Sequence, residues 1–424
     1  MSRPSSRARW AAAAGVLSLV AVAACTPGGD DEDDEGEGSV EMVWAIGGSE
    51  AQQGGVHQQV AQMWSDENPS TPIRIEILPD EADQQREQQA LELQAEGSQF
   101  DVLGMDVIWT GEYSTNGWVE SLEDIRGEIE EVTLPAAVES ASWDGELWAA
   151  PFNTNAGFLY YRTDLVDEPP TTWEEMCEMA IEISEQEGIG GYIGQGARYE
   201  GFVVNWLEYY WSGGGELFND DQSAVEFDTD LATQATEFMA EAKESGCYAP
   251  GFNTATEAEA VNEFQQGNAV FMRNWPSFYQ PIVDDEGSPA NGNFDIAPLP
   301  TFSGEGTISA SGGFNLGVSA FSDNTEAAKD FVLWAATNEE VQTLLATDAS
   351  LPPTMESVYQ DLSDDPVMAL LGEVLPDAKP RPPSPQWNEI SVEMQRALFP
   401  AYNGEGDPAA ASQTVLETLE GTIS

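Results

Sequence analysis

Trp275, Asp106 and Arg381 are the side chains whose type and setting point most directly to chemistry. Trp275 stands in Arg273-Asn274-Trp275-Pro276, directly after the apolar run Ala269-Val270-Phe271-Met272. Pro276 cannot donate to a sheet ladder, so an ordinary strand stops there and leaves the ring in a loop. Asp106 closes the apolar run 100–105, at what reads as a strand's carboxyl end. Arg381 is one of 14 Lys+Arg and lies between Pro380 and Pro382, on a stiff arm that can aim it. A carboxylate, a guanidinium and a flat ring together suit a ligand with hydroxyls, which donate and accept, and with apolar C–H faces. A sugar has that surface. Each residue also has a plainer reading: core or hinge packing for Trp275, a helix cap for Asp106, a surface ion pair for Arg381. Of the 13 Trp, Trp118 reads as core, and Trp109, beside the Asp106 loop, stays open between core and ligand.

Catalysis has weaker support. A glycoside hydrolase needs two facing carboxylates, and Asp106, Glu50 and Glu200 can supply them. Among 76 Asp+Glu, however, any such pair is a weak signal. The G-x-S-x-G, Walker A and H-E-x-x-H patterns are absent. His57 is the single histidine, so a His-rich metal site is excluded and a Ser-His-Asp triad has one candidate member. No D-x-D-x-D-G loop with a closing Glu offers a calcium site. No catalytic residue, cofactor or metal is expected.

The elements that must position these residues begin as β-α-β-α-β. Residues 40–46 read as a strand closed by Gly47-Gly48, and Val56, Val60, Met63 and Trp64 recur at helical spacing. Ile73, Ile75 and Ile77 alternate as a strand, 83–95 reads as a helix, and 100–105 is a third strand. This is the start of an open parallel sheet, in which ligands bind beyond the carboxyl ends of the strands. Further on, 171–187 reads as a helix capped by Thr172 or Thr171, with Glu174 and Glu175 in its first turn. Residues 202–211, 231–244 and 327–336 also read as helices. Residues 269–272, 294–299 and 313–320 read as strands. The tail is helical and broken by the proline-rich 380–385.

The N-terminus reads as a targeting segment. Arg3, Arg7 and Arg9 precede an apolar run of 14 residues, 11–24, too short to span a bilayer but suited to a signal peptide. Its end, Val22-Ala23-Ala24-Cys25, resembles a lipobox, which implies that Cys25 becomes the lipidated N-terminus of the segment's product. The plainer alternative is an ordinary signal peptide with a chance cysteine. Residues 26–39 hold seven acids and read as an extended tether. The remaining ~385 residues are too many for one core and suit two lobes. The net charge of -62 excludes a nucleic-acid role by repulsion, and removal of 1–24 deepens it by three arginines. With 41% hydrophobic content, the acids read as a solvated shell of a salt-adapted protein. Cys177 and Cys247 remain as a possible disulfide outside the cytoplasm, or as two buried thiols.

Several segments resemble the extracellular solute-binding proteins of the maltose-binding type, closest to the trehalose/maltose-binding branch. They are Phe100-Asp101-Val102-Leu103-Gly104-Met105-Asp106-Val107-Ile108-Trp109 with Gly117-Trp118; the run 150–162 with Asn153, Asn155 and Gly157; Gln195-Gly196-Ala197-Arg198-Tyr199-Glu200-Gly201; 266–276; Ala297-Pro298-Leu299-Pro300; Ser311-Gly312-Gly313-Phe314; and Pro380-Arg381-Pro382. The similarity runs from about residue 40 to the C-terminus. It implies sugar contacts at Glu50, Arg86, Asp106, Asn155, Trp275, Gly313 and Arg381, with Phe314 as a second stacking ring. The chain departs from that branch at Asn155, where an Asp is usual, at Phe314 for a Trp, and at Asn153 for a Tyr. The glycine-rich turn before Glu50 also differs in length.

The resemblance implies an α/β, two-lobed periplasmic-binding-protein fold with three hinge crossings and a ligand cleft between the lobes. The expected division is a signal peptide at 1–24, an acidic tether at 25–38, an N-terminal lobe at 39–151 and 301–336, and a C-terminal lobe at 152–300 and 337–424. Asp106 and Arg86 then come from the first lobe, Trp275 and Arg381 from the second. The implied function is that of a monomeric, non-enzymatic component of an ABC importer, anchored to the outer face of the cell membrane through Cys25. It would pass a glucose disaccharide or related oligosaccharide to the permease subunits. A lipid-anchored glycoside hydrolase and a binder of another solute class, such as an amino acid or metal complex, are the alternatives.

Overall fold

The structure is a computed structural model that describes residues 39–219 and 223–423. The expected signal segment 1–24, Cys25 and the tether 25–38 lie outside those residues.

The chain opens with β1 (Met42–Ile46), β2 (Ile73–Ile77) and β3 (Val102–Asp106), then a hairpin of β4 (Ser142–Trp143) and β5 (Glu146–Leu147). β6 (Ala150–Ala156), β7 (Phe158–Arg162), β8 (Gly190–Ile193), β9 (Ala269–Asn274) and β10 (Phe294–Ala297) follow. β11 (Ala310–Val318) and β12 (Lys379–Pro380) complete the set. The first sheet has the order β12-β11-β3-β1-β2, with β6 on the other side of β11. β1 is parallel to β2 and β3, whereas β11 runs antiparallel to β3 and β6. The second sheet has the order β10-β7-β9-β8. Each sheet with its helices makes one lobe.

β1 and most of β3 are buried on both faces and carry continuous apolar runs, whereas β2, at the sheet edge, alternates Ile73, Ile75 and Ile77 with Arg74 and Glu76. In β1 all five residues are buried. Trp44 packs edge-on against Phe152 at 5.5 Å and tilts against Phe331 at 5.5 Å, which locks β1, β6 and the helix Thr325–Thr337 together. Full burial of such side chains stabilises by roughly 1.5–3 kcal/mol each. In the second lobe Trp173 and Tyr209 meet with ring centroids 4.4 Å apart. Of the two candidate caps, Thr172 is the one used: its hydroxyl accepts from Glu175 N at 3.0 Å. Cys177 and Cys247 form a disulfide between that helix and the turn after the helix Thr229–Ser245.

The first crossing lies at Gly157, not at the expected 151/152. β6 keeps its pairing to β11 through Ala156, opposite Ser311, and the chain then enters β7. The backbone passes close to Arg273 there: a Cβ at Gly157 would lie 2.4 Å from a guanidinium nitrogen and would displace it. A second correction concerns the tail. Residues 337–424 do not stay wholly in the second lobe, since β12 pairs with β11 at the edge of the first sheet. A proline such as Pro380 is tolerated there because an edge position leaves its missing N–H unneeded. Arg381 is therefore hung from the first sheet. No helix of the described residues is long and apolar enough to cross a membrane.

Candidate binding cleft

A cavity of about 1170 Å³, counting its open mouth, is walled by both lobes. From the first lobe come Glu50 in the turn Ser49–Ala51 after β1, Asp106 at the end of β3, Asn155 on β6, and Gly313 and Phe314 on β11. From the second come Glu200 at the start of the helix Glu200–Ser212, Glu257 at the start of the helix Glu257–Gln265, and Trp275 after β9. Seven of the eight expected contact residues thus share one wall system. Arg86 does not. It lies on the helix Ala82–Gln94 and its guanidinium is bound by Glu112, with Nε donating to Oε2 at 2.7 Å and a second bond from Nη2 to Oε1. Gln85, one residue earlier, faces the cavity in its place.

Arg381 is buried, with 3% of its side chain exposed, and holds two acids. Nη2 donates to Asp106 Oδ1 at 3.0 Å and Nη1 to Glu200 Oε1 at 2.9 Å. The surface ion pair weighed from the sequence is thus replaced by a buried bridge between the lobes. Asp106 also serves as the cap considered from the sequence, since the same Oδ1 accepts from Ile108 N at 3.1 Å. Burial pushes the Asp106 carboxyl above the usual carboxylate range, against the pull of the Arg381 charge. Glu200 is filled further by Trp387 Nε1 at 2.9 Å and by the Ser391 hydroxyl. Burial likewise raises Glu257, against the bond it accepts from Tyr199 Oη at 2.6 Å.

The ring of Trp275 is positioned from below and behind. Tyr160 Oη donates to its carbonyl at 2.7 Å, and the Arg273 guanidinium sits 3.9 Å from the ring centroid. Arg273 is itself fixed by a two-fold bond to Glu208, at 3.0 and 2.6 Å. One face of the indole is therefore covered by a clamped cation. Phe314 lies opposite Asp106 on one side and Asn153 on the other, at a register shift that re-aims the strand. Gly313 is required there: its φ is +131°, and a Cβ would lie 2.2 Å from the Asn153 carbonyl oxygen. Trp109 and Trp118 are buried and pack on Tyr113, which settles Trp109 as core.

Polar groups left without a partner concentrate on this wall. Among the described residues nine buried side-chain polar atoms lack a protein partner. Six of them belong to cavity residues: Gln85 Oε1, both nitrogens of His57, Asn153 Nδ2, Asn155 Oδ1 and Arg381 Nε. Each polar group left without any partner costs on the order of 1–3 kcal/mol. Sequence reasoning missed Gln85, His57 and Glu257 as wall residues, whereas Glu200, weighed as a possible catalytic carboxylate, does line the cavity. Glu200 is held in the wall by the distant Arg381, Trp387 and Ser391, which no local sequence pattern reveals. Among the described residues no group of three or more His, Cys, Asp or Glu is placed to hold a metal ion.

The family of bacterial extracellular solute-binding proteins matches residues 62–369. This chain belongs to that family. A solute-binding protein of this kind acts outside the cytoplasm and binds its ligand without transforming it. A probable ABC transporter-binding protein of Deinococcus radiodurans is 32% identical over 381 residues, covering 86% of this chain and 88% of that one. A maltotriose-binding protein of Pyrococcus abyssi is 26% identical over 68% of this chain and 63% of its own length. Among solved structures, MalE3 of T. maritima with maltose bound superposes with a TM-score of 0.84 at 33% identity, over 90% of this chain and all of that one. The two-lobed α/β solute-binding fold implied by the sequence is the fold observed.

Proposed function

We propose that this solute-binding protein captures a glucose disaccharide or related oligosaccharide, of the trehalose or maltose type, between its lobes. It then delivers the sugar as a monomer to the permease subunits of an ABC importer, while tethered through a lipidated Cys25 to the outer face of the cell membrane. The observation that carries this reading is the pairing in one cleft of aromatic surfaces, Trp275 and Phe314, with unmet polar atoms of Gln85, Asn153, Asn155 and Arg381. Sugar C–H faces stack on the rings while hydroxyls, which donate and accept, satisfy the polar atoms. The maltose and maltotriose named for the relatives support the same class. The sugar touches Trp275 and Glu257 of one lobe and Asp106 and Phe314 of the other, so it stabilises the closed arrangement by its differential affinity.

Hydrolysis finds no support in the geometry. Asp106 and Glu200, two of the three carboxylates weighed from the sequence for a catalytic pair, are bound to the same guanidinium, and Glu200 also accepts from Trp387 and Ser391. Incubation with maltose, trehalose and sucrose, followed by glucose assay and calorimetry, tests the reading. Saturable binding with no glucose released is expected; glucose release at a rate dependent on Asp106 overturns it.

A further inference from the structure

We infer that His57, the only histidine, is a ligand-contacting residue that reads one hydroxyl of the bound sugar, which deepens the sugar-binding reading and rests on it. His57 lies in the first turn of the helix Val56–Glu67, is 5% exposed, and lines the cleft. Its ring is held by aromatic neighbours, Trp44 at 5.3 Å and Phe152 at 5.6 Å between centroids. Neither Nδ1 nor Nε2 has a hydrogen-bond partner in the protein.

A buried imidazole with two unmet nitrogens is a poor core residue. A phenyl ring packs into the same aromatic nest without leaving polar atoms unsatisfied. Its position on the cleft wall gives it a use. Burial lowers its pKa to about 3, so the ring is neutral at physiological pH. A neutral imidazole presents one N–H donor and one bare nitrogen acceptor. A hydroxyl can meet either nitrogen, accepting from the N–H or donating to the bare nitrogen, whereas an anion, which has no proton to give, can meet only the N–H. A site built to hydrogen-bond a hydroxyl also rejects an analogue that lacks it, because its own polar groups are then stranded. His57 therefore contributes to the choice among sugars that present equal stacking faces to Trp275.

The test uses the full-length protein, the variant His57→Phe, and maltose, trehalose and sucrose with their monodeoxy analogues. Calorimetry on the wild type first finds the tightest disaccharide. For that sugar His57→Phe is expected to bind at least tenfold more weakly, while the empty variant melts at or above the wild-type temperature. One monodeoxy analogue should lose tenfold on the wild type and bind both proteins equally. Unchanged disaccharide affinity in a folded His57→Phe protein overturns the contact; this is also the outcome if a water between His57 and the indole N–H of Trp44 satisfies the ring. A variant that binds weakly only because it is misfolded melts early and loses all analogues alike, which overturns the contact as well. No binding of any disaccharide to the wild type overturns the proposed function, and the contact falls with it.

Discussion

Arg381 and Asp106 meet at 3.0 Å, and the same guanidinium reaches across to Glu200 at 2.9 Å. Asp106 ends a strand of the first sheet, and Glu200 opens a helix of the second lobe. The three charges thus tie the lobes together at the cleft. Removing one member of a buried pair strands the others and costs about 3–5 kcal/mol. Arg381→Met should therefore lower stability by that amount and weaken sugar binding, read from a melting curve and a calorimetric titration. Arg381→Lys should recover little, because a single ammonium cannot span both acids in the planar fork. Full rescue by Lys would show that charge alone matters there.

Trp275 is a platform backed by Arg273, 3.9 Å from the ring centroid. Trp275→Ala removes the stacking face while Arg273 keeps its bonds to Glu208. The expected loss in sugar affinity is about 2–4 kcal/mol, as for a buried aromatic anchor, in a protein that remains folded. Normal affinity in a folded variant removes Trp275 from the site.

Asp83 sets a pH dependence. Burial, and then the charge of Glu200, raises its carboxyl to about 6, while Gln395 donates to it at 3.2 Å and Glu81 adds a further repulsion. A carboxyl with a folded-state pKa above its unfolded value holds its proton more tightly when folded. Ionising it thus costs the fold, with the penalty growing from about pH 4 to about pH 6 and complete above that. Asp83→Asn should melt above the wild type by about 2–4 °C near neutral pH, with the two curves converging near pH 4. A constant difference at every pH would show that Asp83 carries no such penalty.

Cys177 and Cys247 close a loop with a sequence separation of 70. Reduction, or the double change of both cysteines to Ser, should cost about 2–5 kcal/mol. The denatured, unreduced protein should show no reactive thiol at these two positions. Two reactive thiols there would contradict the bridge.

The parallel start of the first sheet was legible because β1 and most of β3 are buried and carry apolar runs, while β2 at the edge alternates Ile with Arg74 and Glu76. Asp106 was legible because an acid directly after such a run falls at the ligand end of the sheet. Trp275 was legible through Pro276, which forces the chain out of the ladder. Arg86 misled because a guanidinium one turn along a helix can face either the cleft or Glu112, and only packing decides. Arg381 was found as a residue but placed on the wrong lobe. Its strand is two residues long and carries a proline, which leaves no periodicity to read. The unmet atoms of His57, Gln85 and Asn153 are invisible in sequence, since a missing partner is a property of the folded wall.

Calorimetric titration of the full-length protein with maltose and trehalose, run beside an assay for free glucose, probes the central claim most directly. One disaccharide should bind at a single site per chain with a Kd of about 1 μM or tighter, or ~8 kcal/mol, and emerge intact. Absence of saturable binding by either sugar and by longer glucose oligomers, or release of glucose during the titration, contradicts it.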